Sequence, residues 1–199
     1  MTAPRHRAGR AARIGIVAAL VGITGSAGAQ GATYTIDPTH TFVNFEILHF
    51  GTSYNRGRWD RKQGSVQFDR AARSGRVEVT IEMDSINTGV PPFDRHLKGK
   101  DFFDVAQHPQ ARFVGERFVF AGDKVTEVQG ELTLRGKTVP LTLTARLFNC
   151  YQNPLFKREV CGGDFEATLR RSDFGMTYGL PAIAPDEVRL LIQVEAIRQ

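Results

Sequence analysis

The chain has 199 residues, with 26 Lys+Arg against 21 Asp+Glu and only two cysteines. Four of the five net positive charges lie in the first thirteen residues, MTAPRHRAGRAAR, which hold four arginines and no acid. Without that segment 22 bases face 21 acids, so nucleic acid loses its electrostatic basis as a partner, and the 170 residues from Gln30 onward suit one domain with a sizeable core.

In chain order, residues 1–29 read as a secretory signal peptide. A basic start leads to the apolar run IGIVAALVGITGSAGA and then to small residues at Ala27-Gly28-Ala29, so the cut is expected after Ala29. The rival reading is an uncleaved anchor, but the run falls short of the ~20 residues a spanning helix needs and is diluted by glycine. No cysteine follows the cut to suggest a lipoprotein. Export would place the protein in the periplasm.

Past the leader, period-two alternation recurs, the pattern of half-buried strands. His40–Gly51, HTFVNFEILHFG, points Val43, Phe45, Ile47 and His49 inward and leaves Asn44 and Glu46 on the wet face. Ser65–Asp69 is a shorter strand that carries Phe68. RVEVTIEMD puts Val77, Val79, Ile81 and Met83 on one face. The pattern then breaks at Pro91–Ala106, PPFDRHLKGKDFFDVA. Its prolines, the Phe93/Leu97 spacing and the chance of Asp94 beside Lys98 indicate a short helix or two turns, followed by Phe102 and Phe103.

Strands resume at Arg112–Phe120, then at VQGELTL, with Val128, Leu132 and Leu134 inward. VPLTLTARL sends in Val139, Leu141, Leu143, Ala145 and Leu147, and its Pro140 implies an edge or a bulge. Phe165–Leu169 and EVRLLIQVEA complete the set, the last with Val188, Leu190, Ile192, Val194 and Ala196 inward. Turns fit at Arg70–Gly75, Gly122-Asp123 and Arg135-Gly136-Lys137. Cys150 and Cys161 flank a loop in a chain read as exported. An even count in an oxidising compartment favours a disulfide, worth roughly 3 kcal/mol in the loop-entropy model.

About eight antiparallel strands at this spacing describe an all-β sandwich or barrel with one short helical segment. The inward positions carry no Asp, Glu, Lys or Arg, the reverse of an outer-membrane pore. Periodicity leaves open whether that interior is a filled core or a cavity. The 14 Phe against one Trp and four Tyr suit either, and an eight-stranded barrel stands at the size where side chains fill the lumen or leave room for one small ligand.

HTFVNFEILHFG, GRWD, GSVQFD, DRHLKGKDFFD, HPQARF, GELTLRGKTVPLTL and RRSDFG, in that order from about Tyr34 to Ala196, resemble the YceI-like family of exported bacterial proteins. The resemblance implies an antiparallel eight-stranded lipocalin-like barrel that binds a polyisoprenoid, quinone or similar long lipid in a central tunnel. The cavity would then be lined by Val43, Phe45, Ile47, His49, Phe68, Val79, Ile81, Met83, Phe102, Phe103, Leu132, Leu134, Leu141, Leu143, Phe165, Leu190 and Ile192. The Cys150–Cys161 loop departs from some relatives, so one tunnel mouth would be shaped differently. Such a guest gains roughly 0.8 kcal/mol for each CH₂ removed from water, so a carrier needs a charge-free lumen more than it needs hydrogen bonds.

Catalytic chemistry finds little support. His40, His49, His96 and His108 lack metal-ligand spacing, and no G-x-S-x-G elbow occurs. Ser172-Asp173 fits a turn, and GVPP and CGGD open no phosphate-binding helix. His49 either caps the inward stripe, meeting a ligand head group, or is a bonded structural histidine. Arg170 and Arg171 either hold an anionic head or form a solvated strand end. Phe102-Phe103 is either a lid or a pin for the helix. The expectation is a binding module without catalytic residues, metal or cofactor, with a long apolar lipid as partner and transient contact with a membrane or membrane protein. The rivals are an enzyme acting on such lipids and a filled barrel that presents its loops to a membrane partner.

Overall fold

Eleven strands and one α-helix form in the computed structural model, which describes residues 1–2 and 31–199; the leader and its cut after Ala29 lie outside the described residues. The strands are β1 (Ala32–Ile36), β2 (Phe42–His49), β3 (Ser53–Trp59), β4 (Lys62–Asp69), β5 (Ser74–Glu82), β6 (Ile86–Asn87), β7 (Gln110–Ala121), β8 (Lys124–Leu134), β9 (Lys137–Asn153), β10 (Arg158–Arg170) and β11 (Glu187–Arg198). The helix, α1, spans Pro91–Leu97. Eight strands close an antiparallel ring in the order β1-β4-β5-β7-β8-β9-β10-β11, and β11 returns to β1. The barrel expected from the sequence is therefore present.

Three strands escape the sequence pattern: β1, β3 and β6. β3, SYNRGRW, is polar on both faces for most of its length, so it shows no alternation. It forms because β2 offers it seven consecutive partners, from Val43↔Trp59 to His49↔Ser53. β11 holds β2 through residues 189–193 and β1 through residues 196–198. Between β1 and β2 the chain turns at Asp37-Pro38-Thr39, where Asp37 Oδ1 accepts from the Thr39 amide at 2.8 Å and its hydroxyl at 2.6 Å. β2, β3 and β6 thus extend the wall beyond the ring at the end that carries α1.

Bulges decide which side chains reach the interior. On β9, Asp164 pairs Leu147 but Phe165 pairs Ala145, so Arg146 is an extra residue and the facing alternates differently beyond it. Leu147, expected inside, is instead 57% exposed, and Phe148 takes the inward place. A second shift between Gly115 and Arg117 on β7 turns Phe118 inward. Phe68 stacks on Phe120 at 6.0 Å and meets Phe118 at 6.1 Å and Phe148 at 5.8 Å, and this aromatic cluster floors the barrel beside the β4–β5 and β7–β8 turns.

Further expectations are corrected. Met83 does not continue the inward face of β5; the strand ends at Glu82, and Met83 opens a 3-10 turn, fully buried outside both cavities described below. Asp94 makes no pair with Lys98, because its Oδ1 accepts from the Thr88 amide at 2.8 Å and hydroxyl at 2.6 Å, tying α1 to the end of β6. Glu46 does face outward but is buried under Arg56 (3.1 Å) and Arg189 (2.6 Å). Pro140 sits in the part of β9 that pairs β8 alone, since the ladder to β10 stops at Thr144. The Arg135-Gly136 turn has positive φ at both residues, 51° and 70°, which matches the twist of a two-residue hairpin. Cys150 and Cys161 are directly opposed across β9 and β10 and form a disulfide.

Candidate functional site

The inner faces of the ring strands do not meet. Val77, Val79, Ile81, Leu141, Leu143, Ile192 and Val194 all point inward yet stay only half-buried, because they border open space. That space is a lumen of about 140 Å³. Val43, Phe68, Val79, Ile81, Leu132, Leu141, Leu143, Phe165, Leu190 and Ile192, all expected on its wall, are there. Tyr34, Ile36, Phe113 and Val194 share it. Among the described residues no charged side chain lines it.

Its two hydroxyls are engaged elsewhere. Thr41 donates to the carbonyl of Glu195 at 3.3 Å, and Tyr34 donates to the Glu159 carboxylate. Burial, then the bond to Glu159, push the Tyr34 phenol up to about 12. The interior is apolar with its polar groups satisfied, the condition under which a cavity stays dry.

A second chamber, of about 370 Å³, lies at the α1 end. Phe45, Ile47, His49, Phe102, Phe103 and Leu134 are on its wall, and Leu190 lines both spaces. Sequence periodicity missed most of the rest, because the loop residues Met176, Tyr178, Ile183 and Ala184 follow no strand pattern. Phe103 packs edge-on against Trp59 at 5.6 Å and so fixes the segment after α1 to the barrel. Phe102 lies at the rim, 5.5 Å from Tyr178 and 4.8 Å from His96.

The polar groups of this chamber are few. His49 leans on Phe50 at 4.7 Å, and among the described residues it has no carboxylate partner. Trp59 is 7% exposed, and its buried indole N–H has no acceptor.

Arg170 and Arg171 separate sharply. Arg170 is exposed and donates to Asp186 at 3.0 Å. Arg171 is no solvated strand end: it is 4% exposed and lines the outer chamber. Its guanidinium donates to the carbonyls of Pro185 (3.0 Å), Tyr178 (2.7 Å), Ala184 (3.1 Å) and, at 3.5 Å, Met176, stitching the 176–185 loop over the chamber. Burial holds its pKa below the usual arginine value, with Asp186 pulling the other way. Four of its five N–H groups are spent on the loop, which leaves little to clasp a diphosphate. Burial opposes charge on Asp186, but bonds from Ser172 and Arg170 outweigh it and keep that carboxyl below its ordinary range. No group of three or more His, Cys, Asp or Glu that could hold a metal occurs among the described residues.

The sequence profile of the YceI-like domain family matches residues 34–196. A protein named YceI from Salmonella arizonae is 37% identical over 186 residues, spanning 92% of this chain and 95% of that one. The crystal structure of BcnA from Burkholderia cenocepacia superposes with a TM-score of 0.65 at 26% identity, covering 80% of this chain and 98% of that one. A polyisoprenoid-binding domain from Saccharophagus degradans, implicated in plant cell wall breakdown, has the same fold, with a TM-score of 0.60 at 16% identity over 84% of this chain and 99% of that one.

Proposed function

The chain belongs to the YceI-like family, and from that premise we propose that it is an exported, non-catalytic binding protein for one long apolar lipid. The cargo is a polyisoprenoid, quinone or related molecule, held for carriage, storage or sequestration in the periplasm. One observation carries this reading: two cavities that share Leu190 on their walls, the inner one without a charged side chain, lie between the rim at α1 and the aromatic floor at Phe68. The tail lies along Val79, Leu143 and Ile192, and the head stays in the outer chamber. With Arg171 committed to its loop, a neutral head fits better than a diphosphate. Phe102 against Tyr178 closes the rim and is the part that moves aside during loading.

The Saccharophagus domain supports the cargo class through its fold alone. Export rests on the basic, apolar and small-residue order of residues 1–29. An enzymatic reading would need an acid and a base brought together on the cargo, and the inner wall supplies neither. The test is to express the whole chain, recover it from the periplasm, check by intact mass that residues 1–29 are gone, and extract with organic solvent. Mass spectrometry is expected to find one lipid class at near-equal molar ratio to protein. A delipidated chain that takes up no isoprenoid, or a cytoplasmic uncleaved product, contradicts the proposal.

A further inference from the structure

We propose that the β9–β10 hairpin is a membrane-docking finger that holds the barrel on an anionic lipid surface by the end opposite α1. The hairpin extends past the barrel floor and ends in Asn153-Pro154-Leu155-Phe156-Lys157-Arg158. Leu155 is 85% exposed and Phe156 48%, side by side at the outermost point of the turn. Single exposed apolar side chains are ordinary on a protein surface, but here two adjoin at the end of a hairpin.

The tip is built to hold that shape. Asn153 Oδ1 accepts from the amides of Leu155 (2.9 Å) and Phe156 (3.1 Å), and the Lys157 amide returns to the Asn153 carbonyl at 2.8 Å. The Cys150–Cys161 disulfide ties the two strands three residues below.

Charge identifies the occupant. Lys157 and Arg158 adjoin the apolar pair, and neither is in an ion pair among the described residues. The two neighbouring turns at this end add Arg70, Arg73 and Lys124, so with Lys157 and Arg158 five bases face the three acids Asp69, Asp123 and Glu159, the last of which pairs with Arg70 at 3.0 Å. Exposed Lys and Arg are drawn to anionic headgroups, while Leu and Phe enter the acyl boundary. Shape excludes the usual alternative. A stable protein interface needs roughly 800 Å² from each partner, and a convex two-residue tip supplies far less, whereas a bilayer closes around it. Docking there turns the rim at Phe102 and Tyr178 away from the bilayer.

The test is co-sedimentation of the protein, expressed from the full sequence, with phosphatidylcholine vesicles containing or lacking phosphatidylglycerol. Binding is expected to be about tenfold stronger to the anionic vesicles and to fall in high salt, where surface charge is screened. Leu155→Ser with Phe156→Ser, and separately Lys157→Glu with Arg158→Glu, should each lose that binding while keeping the melting temperature and isoprenoid uptake. Phe156→Trp should show a blue-shifted emission on anionic vesicles. Wild-type protein that ignores anionic vesicles, or a Leu155/Phe156 double variant that binds them undiminished, overturns the proposal; so does a Phe156→Trp reporter that stays in water while the protein sediments.

Discussion

Val79→Phe tests how far a tail reaches into the barrel. Val79 lies on β5, on the wall of the inner lumen and outside the outer chamber. That lumen, about 140 Å³, is close to the roughly 150 Å³ engineered cavity that accepts one benzene molecule. A phenyl ring placed in it therefore takes the space of about one five-carbon isoprene unit. At ~0.8 kcal/mol per buried CH₂, the displaced unit is worth up to about 4 kcal/mol, or close to a thousandfold in affinity. The outer chamber, more than twice as large, should still take the first two units. Calorimetric titration with geraniol (two units) and farnesol (three) separates these effects. Val79→Phe should leave geraniol unchanged and weaken farnesol by at least tenfold, without lowering the melting temperature, since the ring enters open space. Equal losses for both alcohols, or none for farnesol, would refute the two-chamber reasoning.

Met83→Ala should cost roughly 2–5 kcal/mol in denaturant unfolding while leaving cargo affinity intact, because the side chain is buried away from both chambers. Tyr34 has its folded pKa raised from 10.0 to about 12, so its contribution to stability is full below pH 10 and is lost as pH rises through about 12. Ultraviolet titration should show one late phenolate step near pH 12, and Tyr34→Phe should abolish it.

Alternation exposed the interior wherever a run continued unbroken. Val77 to Ile81, Leu141 to Ala145 and Val188 to Ala196 face inward as their parity requires, since each stretch pairs without a shift through those residues. Parity failed where an extra residue entered. One bulge at Arg146 sent Leu147 out and Phe148 in, and another before Arg117 brought Phe118 to the floor. It also failed where the strand stopped, as at Met83. The outer chamber was hardest to read because much of its wall is loop, placed by tertiary bonds such as those of Arg171. Nothing in RRSDFG distinguishes an arginine that ties down a loop from one in solvent. His49 kept the inward parity its strand assigned, but parity cannot say which chamber it enters.

The central claim, that a lipid tail lies in the lumen, is met most directly by isotope-filtered NMR on the protein loaded with ¹³C-labelled farnesol. Cross-peaks are expected between tail methyls and the methyl groups of Val79, Leu143 and Ile192. Cross-peaks confined to exposed side chains such as Leu147 and Leu155, with the lumen methyls silent, would contradict it.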